Sequence, residues 1–114
     1  KKNFNYLSGE DGTIAGFLAQ GGHGCISVTA NVAPKLTSML HYYWQKKNYK
    51  EFDKVNLRLA SLSKILFAEP NPTPAKYALS LMGKCKADIR EPLYELSPET
   101  KKQVRKTIKD LNFI

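Results

Sequence analysis

The stretch "GGHGCISVTANVAP", residues 21–34, is expected to decide how this chain folds. Adjacent glycines end a helical pattern, a short run with β-branched residues predicts a strand over residues 25–28, and polar side chains follow. Upstream, "FNYL" at residues 4–7 predicts another strand, and residues 13–20 carry apolar side chains at helical spacing. Strand, helix and strand within about 25 residues form a βαβ unit, whose two strands must be parallel.

The chain after the second predicted strand is helical in pattern. Pro34 is well placed in the first turn of a helix, and Asn48 is a candidate cap for the next one. That second helix carries a stripe of apolar side chains at every third or fourth position, which predicts packing against neighbouring helices: Phe52, Val55, Leu59, Leu62 and Leu66.

The segment "EPNPTP", residues 69–74, is incompatible with a helix interior, because each proline removes a backbone donor and extends the residue before it. Helix is predicted to resume at Pro74 and to end at Gly83. Ser97, followed by a proline and an acid, predicts the start of a last helix. Its expected buried side chains are Val104, Ile108 and Leu111.

Two parallel strands do not make a stable sheet by themselves, since natural parallel sheets are buried on both faces and this one leaves two unpaired edges. We therefore expect the chain to be the C-terminal part of a larger parallel barrel or sheet. A (β/α)8 barrel needs about 250 residues. The predicted class is α/β: the last two βα units of such a barrel, residues 1–46, and a C-terminal helical extension, residues 47–114.

Composition excludes few classes of function. The 114 residues include 18 Lys and Arg against 10 Asp and Glu, a net charge of +8, but the basic residues are spread along the chain. No nucleic-acid partner is expected from so dispersed a charge. No apolar run of about 20 residues is present, so no membrane partner is expected. The chain begins with Lys rather than Met, which favours a processed protein or a piece of a longer one.

Cysteines and histidines are too few and too scattered to predict a metal site. Cys25 and Cys85 stand alone, and both are expected to be buried or half-buried thiols in a reducing compartment. His23 is expected to make a structural hydrogen bond in a turn, and His41 to pack within a helix. No catalytic triad, phosphate-binding loop or dinucleotide fingerprint is present.

Polar residues follow both predicted strands, where the chemistry of parallel α/β folds gathers. Ser8 and Asp11 fit a capping pair for the first helix, and Gly9 would let a ligand approach bare backbone. Glu10 and Asp11 are adjacent and point apart, which makes a poor acid–base pair. After the second strand, the hydroxyl and amide side chains of residues 27–31 would suit a small, oxygen-rich substrate.

Three motifs together, "LSGEDG", "GGHGCISVTANVAP" and "LFAEPNPTPAKYAL", closely resemble the C-terminal half of the dihydrodipicolinate synthase family. The resemblance implies an eight-stranded barrel with a helical extension, in a cytoplasmic homotetramer. It also implies condensation of pyruvate with aspartate semialdehyde on the route to diaminopimelate and lysine, with no cofactor. The family's lysine, which forms a Schiff base with pyruvate, lies upstream of this chain, as do its proton-relaying tyrosine and threonine. No catalytic residue is therefore expected within these 114 residues.

Residue by residue, the resemblance implies a substrate-binding set. Ile26 occupies the position whose main chain borders pyruvate, Ser8 and Gly9 match the substrate-facing loop after the seventh strand, and Asn71 matches the reach of the extension toward the barrel mouth. Glu10 stands where the family more often has Asp. Gln20 and Leu57 fall on helices that can contribute to the contact between dimers.

Two other functions remain open from the residues. One is another pyruvate-dependent aldolase of the same barrel superfamily. The other is a free-standing, non-catalytic helical module that binds protein or nucleic acid through its basic helices, among them the last helix with its five cationic side chains: Lys101, Lys102, Arg105, Lys106 and Lys109.

Overall fold

A computed structural model describes residues 3–114 of the chain, which divide into two compact units, residues 3–60 and 61–114. The first unit contains β1 (Leu7–Ser8), a 3₁₀ turn (Asp11–Thr13), α1 (Ile14–Ala19), β2 (Gly24–Cys25), α2 (Thr29–Val32) and α3 (Pro34–Gln45). The long helix α4 (Tyr49–Leu66) begins in the first unit and ends in the second. The second unit continues with α5 (Thr73–Leu81) and α6 (Pro98–Asp110).

The two strands pair in parallel, as the sequence predicted. Leu7 lies opposite Gly24 and Ser8 lies opposite Cys25. With α1 between them, they form the predicted βαβ unit.

The predicted strand bounds were wrong: β1 covers residues 7–8 instead of 4–7, and β2 covers residues 24–25 instead of 25–28. Before β1, the backbone nitrogen of Tyr6 donates to the ring Nδ1 of His23 at 3.0 Å instead of to a backbone carbonyl. After β2, Val28 already has helical dihedral angles (φ −72°, ψ −42°) and precedes the first turn of α2. β-branched composition at residues 26–28 therefore indicated a strand where the backbone has begun to turn.

Two glycines end α1, and a side chain at Gly22 would clash with its neighbours. The nitrogens of Gly21 and Gly22 donate to the carbonyls of Leu18 and Phe17 at 3.1 and 3.0 Å, and Gly21 has a φ of +93°. A Cβ atom on Gly22 would lie 2.2 Å from the Phe17 ring and 2.8 Å from its carbonyl oxygen. The close approach of α1 to the following turn thus depends on the missing side chain.

Helices α3 and α4 begin where the sequence placed them. Pro34 lies in the first turn of α3, and the side chain of Asn48 accepts a hydrogen bond from the nitrogen of Glu51 at 3.3 Å at the start of α4. Trp44 packs its ring 5.3 Å from that of Phe52. The apolar core of this unit is Ile14, Leu18, Val32, Ala33, Leu36, Leu40, Phe52, Val55 and Leu59.

The second unit contains the end of α4 together with α5 and α6, which pack against each other. Residues 67–72 are not helical, as the prolines predicted, and α5 starts at Thr73, one residue earlier than expected. The hydroxyl of Ser97 accepts a hydrogen bond from the nitrogen of Thr100 at 3.2 Å, which confirms the predicted cap of α6. The core of this unit is Leu62, Ile65, Leu66, Ala75, Ala78, Leu96, Val104, Ile108 and Leu111.

Candidate active site

The carboxyl ends of β1 and β2 lie side by side. The nitrogen of Ile26 donates to the carbonyl oxygen of Ser8 at 2.8 Å, one step beyond the paired residues. Ile26 is 73% exposed, and apart from Gly9 and its two chain neighbours no described atom lies within 4 Å of the place where a Cβ on Gly9 would stand. The structure therefore brings Ser8, Gly9 and Ile26 together at an edge where backbone can be approached.

The expected capping pair of Ser8 and Asp11 was wrong. The hydroxyl of Ser8 accepts from the nitrogen of Glu10 at 3.0 Å, and the 3₁₀ turn is capped by Glu10, whose carboxylate accepts from the nitrogen of Gly12 at 2.8 Å. The side chain of Asp11, the acid of the expected pair, is therefore free to point elsewhere.

The carboxylate of Asp11 reaches the segment after β2. One oxygen accepts from the nitrogens of Val28 and Thr29 at 2.9 and 3.1 Å, and the other accepts from the hydroxyl of Ser27. The hydroxyl of Ser27 in turn accepts from the nitrogen of Ala30 at 2.8 Å. Sequence reasoning missed this anchor, although a signal was present: an acid after one strand and hydroxyls after its parallel neighbour fall at the same sheet edge.

The polar side chains after β2 do not stand open to a substrate, which corrects the expectation for residues 27–31. The Ser27 hydroxyl is engaged with Asp11, and the amide of Asn31 donates to the carbonyls of Val28 and Ser27 at 3.1 and 3.4 Å. Thr29 is only 2% exposed, and its hydroxyl oxygen has no hydrogen-bond partner among residues 3–114. The side chains of Ser27 and Asn31 thus make hydrogen bonds to the local backbone, and that of Thr29 is buried.

Asn71 lies in the second unit, exposed, within the non-helical residues 67–72. The segment is held by Glu69, whose carboxylate accepts from the nitrogen and hydroxyl of Ser97 at 3.1 and 2.9 Å. Hydrogen bonds from Thr100 and Ser97 hold the pKa of the Glu69 carboxyl below its ordinary value.

The two histidines lie where the sequence predicted. The ring of His23 accepts a hydrogen bond from the nitrogen of Tyr6 and stacks on the Tyr6 ring at 5.7 Å, and half-buried His41 has its pKa lowered by desolvation.

One of the two cysteines is buried as expected and the other is not. Cys25 is half-buried, and burial followed by the charges of Asp11 and Glu10 raises the pKa of its thiol. Cys85 is exposed, so its expected burial was wrong: it lies in the irregular segment after α5, where no helix covers it.

The basic side chains of α6 are partly engaged within the molecule. Lys101 pairs with Glu95 at 2.8 Å, and the guanidinium of Arg105 donates to the hydroxyl of Tyr77 at 3.2 Å. Within the described residues, no helix is both long enough and apolar enough to cross a membrane, and no three His, Cys, Asp or Glu side chains cluster to hold a metal ion.

The parallel pairing of the two strands, with α1 between them, defines the chain as part of an α/β protein with a parallel sheet. The Dihydrodipicolinate synthetase family model matches residues 1–111. The chain belongs to that family. It is 49% identical over 104 residues to the 4-hydroxy-tetrahydrodipicolinate synthase of Bradyrhizobium diazoefficiens, covering 91% of this chain and 35% of that enzyme. It is 44% identical over 114 residues to that of Ehrlichia canis, covering 99% and 38%.

Solved structures of relatives contain the same arrangement. The dihydrodipicolinate synthase of Thermotoga maritima superposes with a TM-score of 0.96 at 36% identity, over 100% of this chain and 39% of that one. The enzyme of Acinetobacter baumannii, solved in complex with pyruvate, superposes with a TM-score of 0.90 at 37% identity, over 97% and 38%. The chain thus spans a little over a third of the length of the relatives it matches, and it corresponds to part of their barrels.

Proposed function

We propose that this chain forms the last two βα units and the C-terminal helical extension of a (β/α)8 barrel enzyme that condenses pyruvate with aspartate semialdehyde. Residues 1–46 supply strands seven and eight with their helices, and residues 47–114 supply the extension. The product is 4-hydroxy-tetrahydrodipicolinate, and the reaction serves lysine and diaminopimelate synthesis. Membership of the family and the name carried by the relatives support this function.

The observation that carries the proposal is the hydrogen bond from the nitrogen of Ile26 to the carbonyl of Ser8 at 2.8 Å. It continues the parallel pairing past β2 and places two bare stretches of backbone, at Gly9 and Ile26, next to each other at the carboxyl ends of the strands. In parallel barrels this face holds the active site. Ser8, Gly9 and Ile26 there border the pyruvate, and Ile26 contributes its main chain.

Apolar side chains around the two strands are exposed, as we expect for a fragment of a barrel. Phe4, Tyr6 and Leu7 are each more than half exposed around β1, as is Ile26 after β2. Exposed apolar side chains beside unpaired strand edges favour association with further strands. The remainder of the enzyme's own barrel is the partner that covers them.

The reactive amine comes from chain upstream of these residues. A lysine there adds to the ketone carbon of pyruvate, water leaves, and a Schiff base forms. A tyrosine and a threonine of the same upstream part relay protons. This chain holds the ketoacid by backbone and supplies no nucleophile.

Asn71 and the oligomer complete the proposal. Asn71, on the irregular segment after α4, completes the proposed substrate-binding set. Gln20 and the 73% exposed Leu57 lie on surfaces available to a homotetramer contact in the cytoplasm.

A chimera tests the function. The 104 matched residues of the Bradyrhizobium diazoefficiens enzyme are replaced by those of this chain, and condensation is measured with pyruvate and aspartate semialdehyde. We expect a folded, active enzyme, with the unaltered Bradyrhizobium enzyme as the positive control. A folded chimera without condensation activity would overturn the proposal; if this fusion does not fold, the Gluconacetobacter diazotrophicus relative, 45% identical over 107 residues, takes its place.

The chimera and the 114-residue chain by itself distinguish the alternatives. Cleavage of acetylneuraminate or of keto-deoxy sugars, without condensation, would assign the chain to another pyruvate-dependent aldolase. A cooperatively melting, monodisperse monomer of the 114 residues alone would instead favour the free-standing binding module.

A further inference from the structure

The side chain of Asp11 joins the two loops that carry the proposed pyruvate contacts. It follows β1 by three residues, yet its carboxylate accepts hydrogen bonds from three donors after β2: the nitrogens of Val28 and Thr29 and the hydroxyl of Ser27. Both carboxylate oxygens are used. Hydrogen bonds to an ionised group are the strong ones, so this is a firm link between the loops.

Ile26 is held from both sides by this arrangement. Its nitrogen donates to Ser8, and the next residue, Ser27, is fixed by Asp11 and by the nitrogen of Ala30. The peptide groups at Ile26 therefore have little freedom to rotate. Without the carboxylate, the segment from Ser27 to Ala30 loses its connection to the loop after β1.

We propose that Asp11 is a positioning residue for pyruvate binding, which acts by fixing the backbone at Ile26. This inference rests on the proposed function. A side chain can adjust its contact with a ligand by changing rotamer, but a main-chain group cannot. The position of a main-chain contact therefore depends on the groups that anchor its loop. Displacement of binding groups by about 1 Å can cost on the order of 100-fold in rate.

The two residues that follow Gly9 have different tasks, although both are acids. The carboxylate of Glu10 accepts from Gly12, within its own turn, whereas the carboxylate of Asp11 crosses to the neighbouring strand end. Only the second carboxylate couples the loops. The pair is thus divided between a local cap and a cross-strand anchor, rather than between an acid and a base.

The test uses the active chimera and measures the KM for pyruvate, the KM for aspartate semialdehyde and kcat. Asp11→Asn keeps the shape of the side chain but removes its charge and one of its accepting oxygens. We expect the KM for pyruvate to rise about ten-fold, with a smaller change in the KM for the aldehyde. Ser27→Ala removes one of the three donors and should raise the KM for pyruvate by a smaller factor, about two- to five-fold.

Two controls separate positioning from general loss of stability. Val104→Ala, in the core of the second unit, lowers the melting temperature and should leave the KM for pyruvate unchanged. Glu95→Gln, a matched carboxylate-to-amide change on an exposed ion pair, should leave it unchanged as well. If Asp11→Asn lowers the melting temperature but not the affinity for pyruvate, Asp11 is a structural residue only and the inference fails. If the folded chimera without any substitution is inactive, the proposed function itself is wrong, and this result is distinct from a failure of the role proposed for Asp11.

Discussion

Glu69 is linked to Ser97 across 28 residues by two hydrogen bonds, from the backbone nitrogen at 3.1 Å and from the hydroxyl at 2.9 Å. The carboxylate therefore caps α6 from outside while it holds the proline segment before α5. One carboxylate thus connects the proline segment with the first turn of α6.

The stability contributed by Glu69 should depend on pH. Its folded-state pKa is lowered by hydrogen bonds from Thr100 and Ser97, so the contribution is present above the unfolded value and is lost as pH falls through the folded value. We expect Glu69→Gln to lower the urea midpoint of the chimera at about pH 7, and to have a smaller effect at about pH 3. Asp53→Asn, at an exposed site on α4, is the control. An equal effect of Glu69→Gln at both pH values would contradict the prediction.

Gly22 should not tolerate a methyl group. Alanine there would place its Cβ 2.2 Å from the Phe17 ring and 2.8 Å from the Phe17 carbonyl, and a backbone atom cannot move aside at low cost. We expect Gly22→Ala to lower the free energy of unfolding by about 1–3 kcal/mol. Gly16→Ala, in α1, meets no described atom within 4 Å outside its chain neighbours and its own helix backbone, and should raise the free energy of unfolding by about 0.5–1 kcal/mol. Chemical denaturation of both variants checks the pair; similar effects would show that space at Gly22 does not matter.

The two thiols should differ in reactivity. Burial, and then the charges of Asp11 and Glu10, raise the pKa of Cys25, so less of its reactive thiolate is present at neutral pH, whereas Cys85 is exposed. We expect iodoacetamide at about pH 8 to alkylate Cys85 at least about ten-fold faster than Cys25, as measured by mass spectrometry of the peptides. Urea should abolish the difference. Equal rates in the folded protein would be inconsistent with the environment of Cys25.

The Thr29 hydroxyl should find its partner in the rest of the barrel. It is almost fully buried and has no partner within the described residues, and buried hydroxyls are nearly always paired in complete structures. In the chimera, Thr29→Val should lower the free energy of unfolding by about 1–3 kcal/mol, and Thr29→Ser should restore most of the loss. An unchanged or raised stability of the valine variant would mean that no such partner exists.

In the chimera, pyruvate should form its Schiff base with a lysine that lies outside the 114 residues of this chain. Borohydride reduces a Schiff base to a stable amine, so peptide mapping of the chimera locates the reactive lysine. The adduct is expected on the part contributed by the Bradyrhizobium enzyme, with a sample reduced without pyruvate as the control. Specific, pyruvate-dependent labelling of a lysine within these 114 residues would reverse the assignment of roles.

Local patterns were sufficient for the helices. Asn48 caps α4 and Ser97 caps α6 as predicted, because capping depends on residues only a few positions apart. The parallel pairing was also predictable, since a helix between two short strands leaves no other sensible connection. The bounds of the short strands were harder to predict. At residues 26–28 the β-branched composition indicated a strand, but the backbone turns there.

The sequence by itself determined which segments form the long helices, which residues cap α4 and α6, and that two strands run parallel. Only the tertiary structure decided what the polar residues around them do. Asp11, expected to cap its own helix with Ser8, instead crosses 16 to 18 residues to the far loop and engages the hydroxyl that had been assigned to a substrate. The physical reason is that a carboxylate is satisfied by any donors within reach, and which donors those are depends on the packing of one strand beside another rather than on the neighbours of the residue in the chain.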